Sequence, residues 1–395
     1  MILCASRHAA TVSSMAILTV NTGSSSVRLA AFACNGNTLT ELANVRRDLG
    51  ADQPRAVLRE FVQTHGLAGL DVSVHRVVHG GANLTVSRRL DQEVEQEIDR
   101  LAPLAPLHNP VALNWIRATR EVLGTDITQV AVFDTAFFTT LPEIARTYAI
   151  PHALAEKHGL RRYGFHGLAH QAMWRKWCEL HPNVPQGGRV ISMQLGAGCS
   201  ITAIDNGSPR DTSMGFSPLE GLMMATRSGD IDPGLVTFLQ RQENLLPEQI
   251  DQLLNAQSGL LGVSGASADI RQLLELQDER ARLAVDIYCY RARKYLGAYL
   301  AVLGGADAVI FGGGVGENVP AVREKILAGM EWCGIEIESK QNHGPAGISR
   351  ISSRTSRVAV WVIPVDEAAI LAREAAVIVA KEYSGPQFPD NNLRW

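Results

Sequence analysis

Two stretches of this chain, separated by almost half its length, share one layout. Residues 17–36 read ILTVNTGSSSVRLAAFACNG, and residues 190–207 read VISMQLGAGCSITAIDNG. Each is an apolar run, a turn of small residues, a second apolar run and an Asn-Gly pair. The runs have the composition of strands, and Asn-Gly is a strong turn signal. A turn without bulky side chains lets its N–H groups and hydroxyls approach an anion, and phosphate is the usual guest. The repeat therefore predicts a duplicated fold with a phosphate cradle in each half, the layout of a phosphotransferase.

At 395 residues the chain exceeds one ordinary core, which predicts two domains. Strand-like runs at 17–21, 27–33, 72–78, 129–133, 189–194, 200–204, 307–311 and 358–363 alternate with helical stretches, so the class is α/β. Leu283, Ile287, Tyr290, Tyr295, Tyr299 and Leu303 predict a long helix over 282–303 with one buried stripe. A C-terminal helix is expected over 366–382 with Asp366 as its cap, and 338–356 reads as a polar surface excursion. Leu141-Pro142 and Ile150-Pro151 place a domain boundary near 135–150.

The net charge of −3, with Lys and Arg scattered, provides no basic field for nucleic acid. No apolar run approaches the length that spans a bilayer. Cys4, Cys34, Cys178, Cys199, Cys289 and Cys333 show no CxxC pair, as expected of free thiols in the cytoplasm. Residues 1–14 lack the apolar core of a secretory signal and read as an extension upstream of Met15.

Several familiar signatures fail. There is no GxxxxGK[ST], and Gly312-Gly313-Gly314-Val315-Gly316-Glu317 misses GxGxxG at its last position. Gly262-Val263-Ser264-Gly265-Ala266 misses GxSxG by one residue. His166 and His170 have zinc-ligand spacing on a helix, but no HExxH accompanies them.

The positive signals each compete with a blander alternative. Asn21 to Arg28 is a plain hairpin turn or, given Arg28 beside small hydroxyls, a phosphate cradle. Arg76 ends an apolar strand before Gly80-Gly81, where ligands sit in α/β proteins, although a surface arginine is the commoner case. Asp134 emerges after the run QVAV and serves either as helix cap or as a metal- or nucleophile-orienting carboxylate. Arg227 lies in DTSMGFSPLEGLMMATRSGDIDPG, a loop suited to stabilising charge on a transferring phosphoryl group. AVIFGGGVGEN joins a buried strand to a glycine loop with a helix starting near Pro320, an approach for a nucleotide.

NTGSSSVR, HRVVHGG, LAPLHNP, VFDTAF, YGFHG, DTSMGFSPLEGLMMATRSGDIDPG, SGLLGVSG and FGGGVGEN occur in that order. Together, over about residues 16–380, they resemble the acetate and butyrate kinase family. The resemblance implies two α/β domains of duplicated actin-like ATPase (ribonuclease H-like) topology with a cleft between them. Residues 1–15 would then be a disordered extension. Residues 16–135 plus 368–386 would carry the first phosphate hairpin and the carboxylate side, and 136–367 the nucleotide and the interface of a homodimer. The implied reaction is reversible transfer from ATP to acetate, giving acetyl phosphate and ADP, with Mg²⁺ or Mn²⁺.

By resemblance, Arg76 and Arg227 hold the carboxylate and the phosphoryl group, His166 stabilises the phosphoryl in flight, His108 is a further active-site histidine, and Asp134 is the catalytic aspartate. Asn21 and Glu367 lie near the metal. The nucleotide side takes Arg28, Gln194, Leu195, Gly196, Ala197 and Gly198, then Asp269, Ile270 and Arg271. Gly312, Gly313, Gly314, Val315, Gly316 and Asn318 complete that side. Val78, Leu107, Phe165 and Pro218 wall the methyl pocket.

Three departures stand out. Arg28 replaces a usual Lys, Gln194-Leu195-Gly196-Ala197-Gly198-Cys199-Ser200 replaces HLGNGSS, and Val365-Asp366-Glu367 replaces Thr-Asn-Glu. Ala197 thereby lacks a side-chain amide beside the phosphates. Two alternatives stay open: a propionate-preferring short-chain acyl kinase and, motivated by the second-cradle changes, a nucleotide-binding relative with weakened catalysis.

Overall fold

The computed structural model describes residues 14–23, 26–36, 38–48, 53–67, 69–344 and 347–384. The extension expected upstream of Met15, Cys4, and Ser24 and Ser25 of the first cradle lie outside the described residues, apart from Ser14. The chain divides into two compact units: one contains the chain up to Gly80, Val86–Phe133 and the chain from Glu367, the other Gly81–Thr85 and Asp134–Asp366.

The first unit is built on a six-stranded sheet in the order β3-β2-β1-β4-β6-β5. Its strands are β1 (Met15–Thr22), β2 (Ser26–Asn35), β3 (Thr38–Asp48), β4 (Val72–Val77), β5 (Arg88–Arg89) and β6 (Thr128–Phe133). The second has β7 (Arg189–Leu195), β8 (Cys199–Asp205), β9 (Ser208–Thr212), β10 (Ala308–Gly312), β11 (Ser349–Arg350) and β12 (Ala359–Val362), in the order β11-β12-β10-β7-β8-β9. Traversed from the hairpin edge, the second sheet repeats the first strand for strand. Three antiparallel strands are followed by two parallel ones and a short antiparallel edge. The duplicated α/β topology expected from the repeat is present.

The repeat works because the turns are chemically fixed. β8 and β9 are joined by Asn206-Gly207, both with positive φ (49° and 79°), the two-residue turn that matches strand twist. The exposed pattern of β3 explains why its apolar signal was too weak to read as a strand. In the first unit Leu18, Val20, Leu29, Phe61 and Trp115 share one core. In the second, Met173, Trp174, Val190, Ile204 and Ile310 share another.

Two expectations need correction. The long helix runs Glu279–Leu303, starting from an Asp278 cap, and its buried stripe is Ala281, Ala284, Val285, Tyr288, Cys289, Ala292, Leu296, Tyr299 and Leu300. Leu283 and Tyr290, counted in the stripe from sequence, are 52% and 61% exposed because small Ala and Cys residues occupy the packed face. Segment 338–356 is not a plain surface excursion: Asn342 and Ile351 are buried, and β11 lies within it. The C-terminal helix Glu367–Ser384 packs on β1, β4 and β6 and completes the first unit.

Candidate active site

The parallel register of the first unit brings the ends of β1 and β4 to one sheet edge, the edge at which α/β proteins bind ligands. Asn21 and Arg76 emerge there. Asn21 Nδ2 donates to Glu367 Oε2 at 2.6 Å, and Arg76 Nη1 donates to Asn21 Oδ1 at 3.2 Å. Arg76 Nη1 also lies 3.8 Å from Glu367 Oε2, with both side chains largely buried. Arg28 pairs opposite Asn21 across the hairpin. Val78 is buried, whereas Leu107 is 62% exposed. His108 occupies the N-cap position of the helix Asn109–Leu123 without a side-chain cap bond. Asn109 joins that helix to the strand end, donating to His79 O and accepting from His79 N.

The second unit holds Asp134, Phe165, His166, Pro218 and Arg227. His166 sits at φ 58°, ψ 29° before the helix Gly167–Leu180, a left-handed conformation that a non-glycine residue adopts only under local constraint. Its constraint is packing: a Cβ on Gly167 would fall 2.0 Å from the carbonyl oxygen of Asp134, so the start of the helix is pressed against the backbone of Asp134. Asp134 is fully buried there and opens the 3₁₀ turn Asp134–Phe138.

His166 and Arg227 converge on the second glycine turn. A Cβ on Gly198 would lie 3.0 Å from Arg227 Nη2 and 3.3 Å from His166 Nε2. The turn is closed by Gly196 N donating to Gly198 O at 3.1 Å and is tied to the Arg227 loop by Ala225 N donating to Ala197 O at 3.0 Å. Arg227 Nη1 donates to Pro218 O at 2.7 Å, and burial holds its guanidinium below the ordinary arginine value. The loop is braced from behind: Arg162 Nη2 donates to Glu220 Oε1 at 2.6 Å, while Tyr148 donates to Glu220 and accepts from Phe216 N. Composition gave no signal for this brace, because its members lie up to 72 positions apart.

Of the three consecutive glycines, two serve packing. A Cβ on Gly312 would meet Met173 Sδ at 2.5 Å, and one on Gly313 would meet Leu195 O at 2.6 Å. A Cβ on Gly314 meets nothing within 4 Å, so this glycine faces open space that a ligand can use. The helix begins at Gly313, directly after β10 and earlier than the start expected near Pro320; a separate helix starts at Pro320. Glu317 Oε1 accepts from Gly313 N at 2.8 Å and from Val365 N at 3.1 Å, a pin absent from the sequence-based site. Asn318 Nδ2 donates to Gly314 O. Asp269 caps the helix Ile270–Glu275 and pairs with Arg271 at 2.6 Å, while Ile270 is buried. Among the described residues Gln194 Oε1, on β7, is buried with no hydrogen-bond partner.

The His166/His170 pair does not have the surroundings of a zinc site. His170 is buried, its Nδ1 lies 2.7 Å from Ser192 Oγ, and its Nε2 lies 2.8 Å from Ser200 Oγ. Among the described residues no group of three or more His, Cys, Asp or Glu side chains is arranged for a metal ion. No helix among them is long and apolar enough to cross a membrane.

Residues 55–373 match the Acetokinase family. An acetate kinase of Solibacter usitatus is 46% identical over 352 residues, covering 88% of this chain and 84% of that protein. The crystal structure of Porphyromonas gingivalis acetate kinase superposes with a TM-score of 0.83 at 38% identity, covering 92% of this chain and 100% of that one. A propionate kinase from Francisella tularensis subsp. tularensis superposes with a TM-score of 0.84 at 33% identity and the same coverage.

Proposed function

Because the chain belongs to the acetokinase family, we propose that it carries out reversible, in-line transfer of the γ-phosphoryl group of ATP to the carboxylate of acetate, giving acetyl phosphate and ADP. The observation that carries this reading is the approach of His166 Nε2 and Arg227 Nη2 to Gly198 in the second unit.

A carboxylate is already nucleophilic, so the reaction needs no strong base. The protein must offset the repulsion between two anions and hold them in line. The loose transition state of phosphoryl transfer spreads charge over the equatorial oxygens. Arg227 and His166 supply donors to those oxygens from a largely buried position, where each donor counts for more than in water. Arg76 holds the acetate carboxylate, with its guanidinium oriented by Asn21 and Glu367. Asp134 and His108 complete the catalytic set, and Gly314 and Asn318 border the nucleotide.

Mg²⁺ is commonly held by one or two carboxylates together with substrate phosphates. Glu367 is a carboxylate of that kind and would hold Mg²⁺ or Mn²⁺, oriented by Asn21, whose amide nitrogen donates to Glu367 Oε2 while its oxygen accepts from Arg76. Bound with the nucleotide, the ion supplies neutralisation of phosphate charge.

ADP release measured with and without acetate tests the reading. Acetate-dependent turnover is expected, and it should fall at least ~100-fold in Arg227→Ala and in His166→Ala. An enzyme that releases no more ADP with acetate than without it would be a nucleotide binder and would overturn the proposal. The likeness to a propionate kinase supports a second reading, in which propionate is preferred. The ratio of kcat/KM for the two acids separates them.

We assign the enzyme to the cytoplasm, consistent with five free cysteines among the described residues. The assembly we propose is a homodimer formed by the second unit, where Phe238, Leu246, Leu283 and Tyr290 are 52–62% exposed. A monomeric mass in solution would reject the dimer.

A further inference from the structure

The second glycine turn is tied from behind to the long helix Glu279–Leu303. Tyr288 lies on the buried face of that helix, and its hydroxyl is 3.2 Å from Sγ of Cys199, fully buried at the start of β8. Among the described residues that hydroxyl has no other hydrogen-bond partner. Cys199 Sγ in turn donates to Gly196 O at 3.3 Å. The tie therefore runs from the helix, through one thiol, to the first residue of the turn Gly196-Ala197-Gly198. Neither Tyr288 nor Cys199 has a role in the site read from the sequence.

Such a turn needs a hold from outside itself. Two of its three residues are glycines, which restrict the backbone least, and Ala197 is exposed with no polar side chain to fix it. Gly196 N donates to Gly198 O, and Ala225 N donates to Ala197 O, but neither bond secures the carbonyl of Gly196. Burial raises the Cys199 pKa and holds that of Tyr288 well above its ordinary value, so both groups stay protonated. Each then has one proton to give. The thiol proton goes to Gly196 O and the phenol proton to Sγ, which leaves neither the carbonyl nor the phenol unpaired in the interior. The same helix also reaches the Arg227 loop: the Tyr295 hydroxyl donates to Asp230 Oδ2 at 2.7 Å, and Asp230 Oδ1 accepts from Gly221 N at 2.7 Å. Turn and loop thus share one support.

We propose that Tyr288 and Cys199 are positioning residues for phosphoryl transfer: through the thiol, the phenol fixes the turn at the separation from Arg227 and His166 that the transferring group requires. Gly198 is the point on which those two donors converge, so a drift of the turn changes the site directly. Cys199 stands where the related pattern HLGNGSS has Ser, and Ala197 stands where it has Asn. The larger sulfur meets Gly196 O and the phenol together, and a turn without the amide at 197 keeps its place through the helix. The inference rests on the reading of Arg227 and His166 as the donors that meet the phosphoryl group.

The test is a double-mutant cycle on the steady-state rates of the full-length enzyme with Mg²⁺, ATP and acetate. Tyr288→Phe keeps the ring and removes the tie, and Cys199→Ala removes it from the other side. Each should lower kcat about 3- to 10-fold, with KM for acetate changed less than about twofold. The double variant should lose no more than either single variant, because all three break the same tie. Losses that multiply in the double variant, or an unchanged kcat in Tyr288→Phe, would overturn the proposal. The S–H stretching band in Raman spectra gives a second readout where Cys199→Ala does not fold. The component that disappears in Cys199→Ser should shift in Tyr288→Phe, and an unshifted band overturns the tie. A parent enzyme without acetate-dependent ADP release sinks the underlying reading, and the proposal with it.

Discussion

Asn21 and Glu367 stand 346 positions apart in the chain and are joined by a 2.6 Å hydrogen bond from the Asn21 amide to the Glu367 carboxylate. The bond locks the start of the C-terminal helix to the end of β1, and Arg76 bridges both partners. Replacing Glu367 by Gln removes the charge while keeping the shape. The Mg²⁺ concentration for half-maximal activity should rise about 10- to 100-fold, the usual effect of weakening a metal site. A Mg²⁺ titration of the variant measures this, and an unchanged midpoint removes Glu367 from the metal site.

Gly198→Ala tests the close approach in the second unit. The new methyl would sit 3.0 Å from Arg227 Nη2 and 3.3 Å from His166 Nε2, so both must retreat by a few tenths of an ångström. A 1 Å misplacement of catalytic groups costs about 100-fold, so a loss near 10-fold in kcat is expected. The melting temperature should change little, because the site is not in a packed core. Steady-state kinetics and thermal melting together check it; full activity would place the two donors away from the reacting group.

Val78 is buried directly after β4, the strand that presents Arg76. One methylene in an apolar pocket is worth about 1–3 kcal/mol. Val78→Ala should therefore raise the propionate-to-acetate ratio of kcat/KM by at least ~10-fold. Equal ratios in the variant and the parent reject Val78 as a wall of the pocket.

Ala197→Asn restores a side-chain amide on the second glycine turn, whose backbone is held by Gly198 and Ala225. A hydrogen bond to a charged group contributes about 1.5–3 kcal/mol, so ATP turnover should increase roughly 10-fold or more. No gain would show that the turn already satisfies the phosphates through its backbone.

His75 and His170 are buried, and burial lowers both pKa values to about 3 from the ordinary 6.5. Between pH 3 and 6.5 the unfolded chain binds protons at these sites that the folded chain does not. Their contribution to stability is thus complete above pH 6.5 and is lost as the pH falls toward 3. At pH 5 the loss is about 2 kcal/mol per histidine. Melting temperature should drop between pH 7 and pH 5, and less steeply in His75→Gln; parallel slopes would contradict the burial argument.

Much of this was legible in the linear chain because it depends on local chemistry. The two strand–turn–strand repeats, the Asn206-Gly207 hairpin and the glycine-rich end of β10 are fixed by neighbours a few positions away. β3 was invisible because its side chains are mostly exposed and carry no apolar alternation. The stripe of Glu279–Leu303 was misassigned because alanine and cysteine can line a packed helix face as well as leucine can, and periodicity counts only the larger residues.

The sequence by itself determined the duplicated α/β halves and the small-residue turns at their strand ends, since strand patterning and turn chemistry act over short separations. Tertiary structure alone decided which nitrogen of His166 faces Gly198, how Ser200 and His170 back that ring, and how Glu220 braces the Arg227 loop. Those choices depend on side chains brought together across dozens of residues by burial, and no local pattern records them.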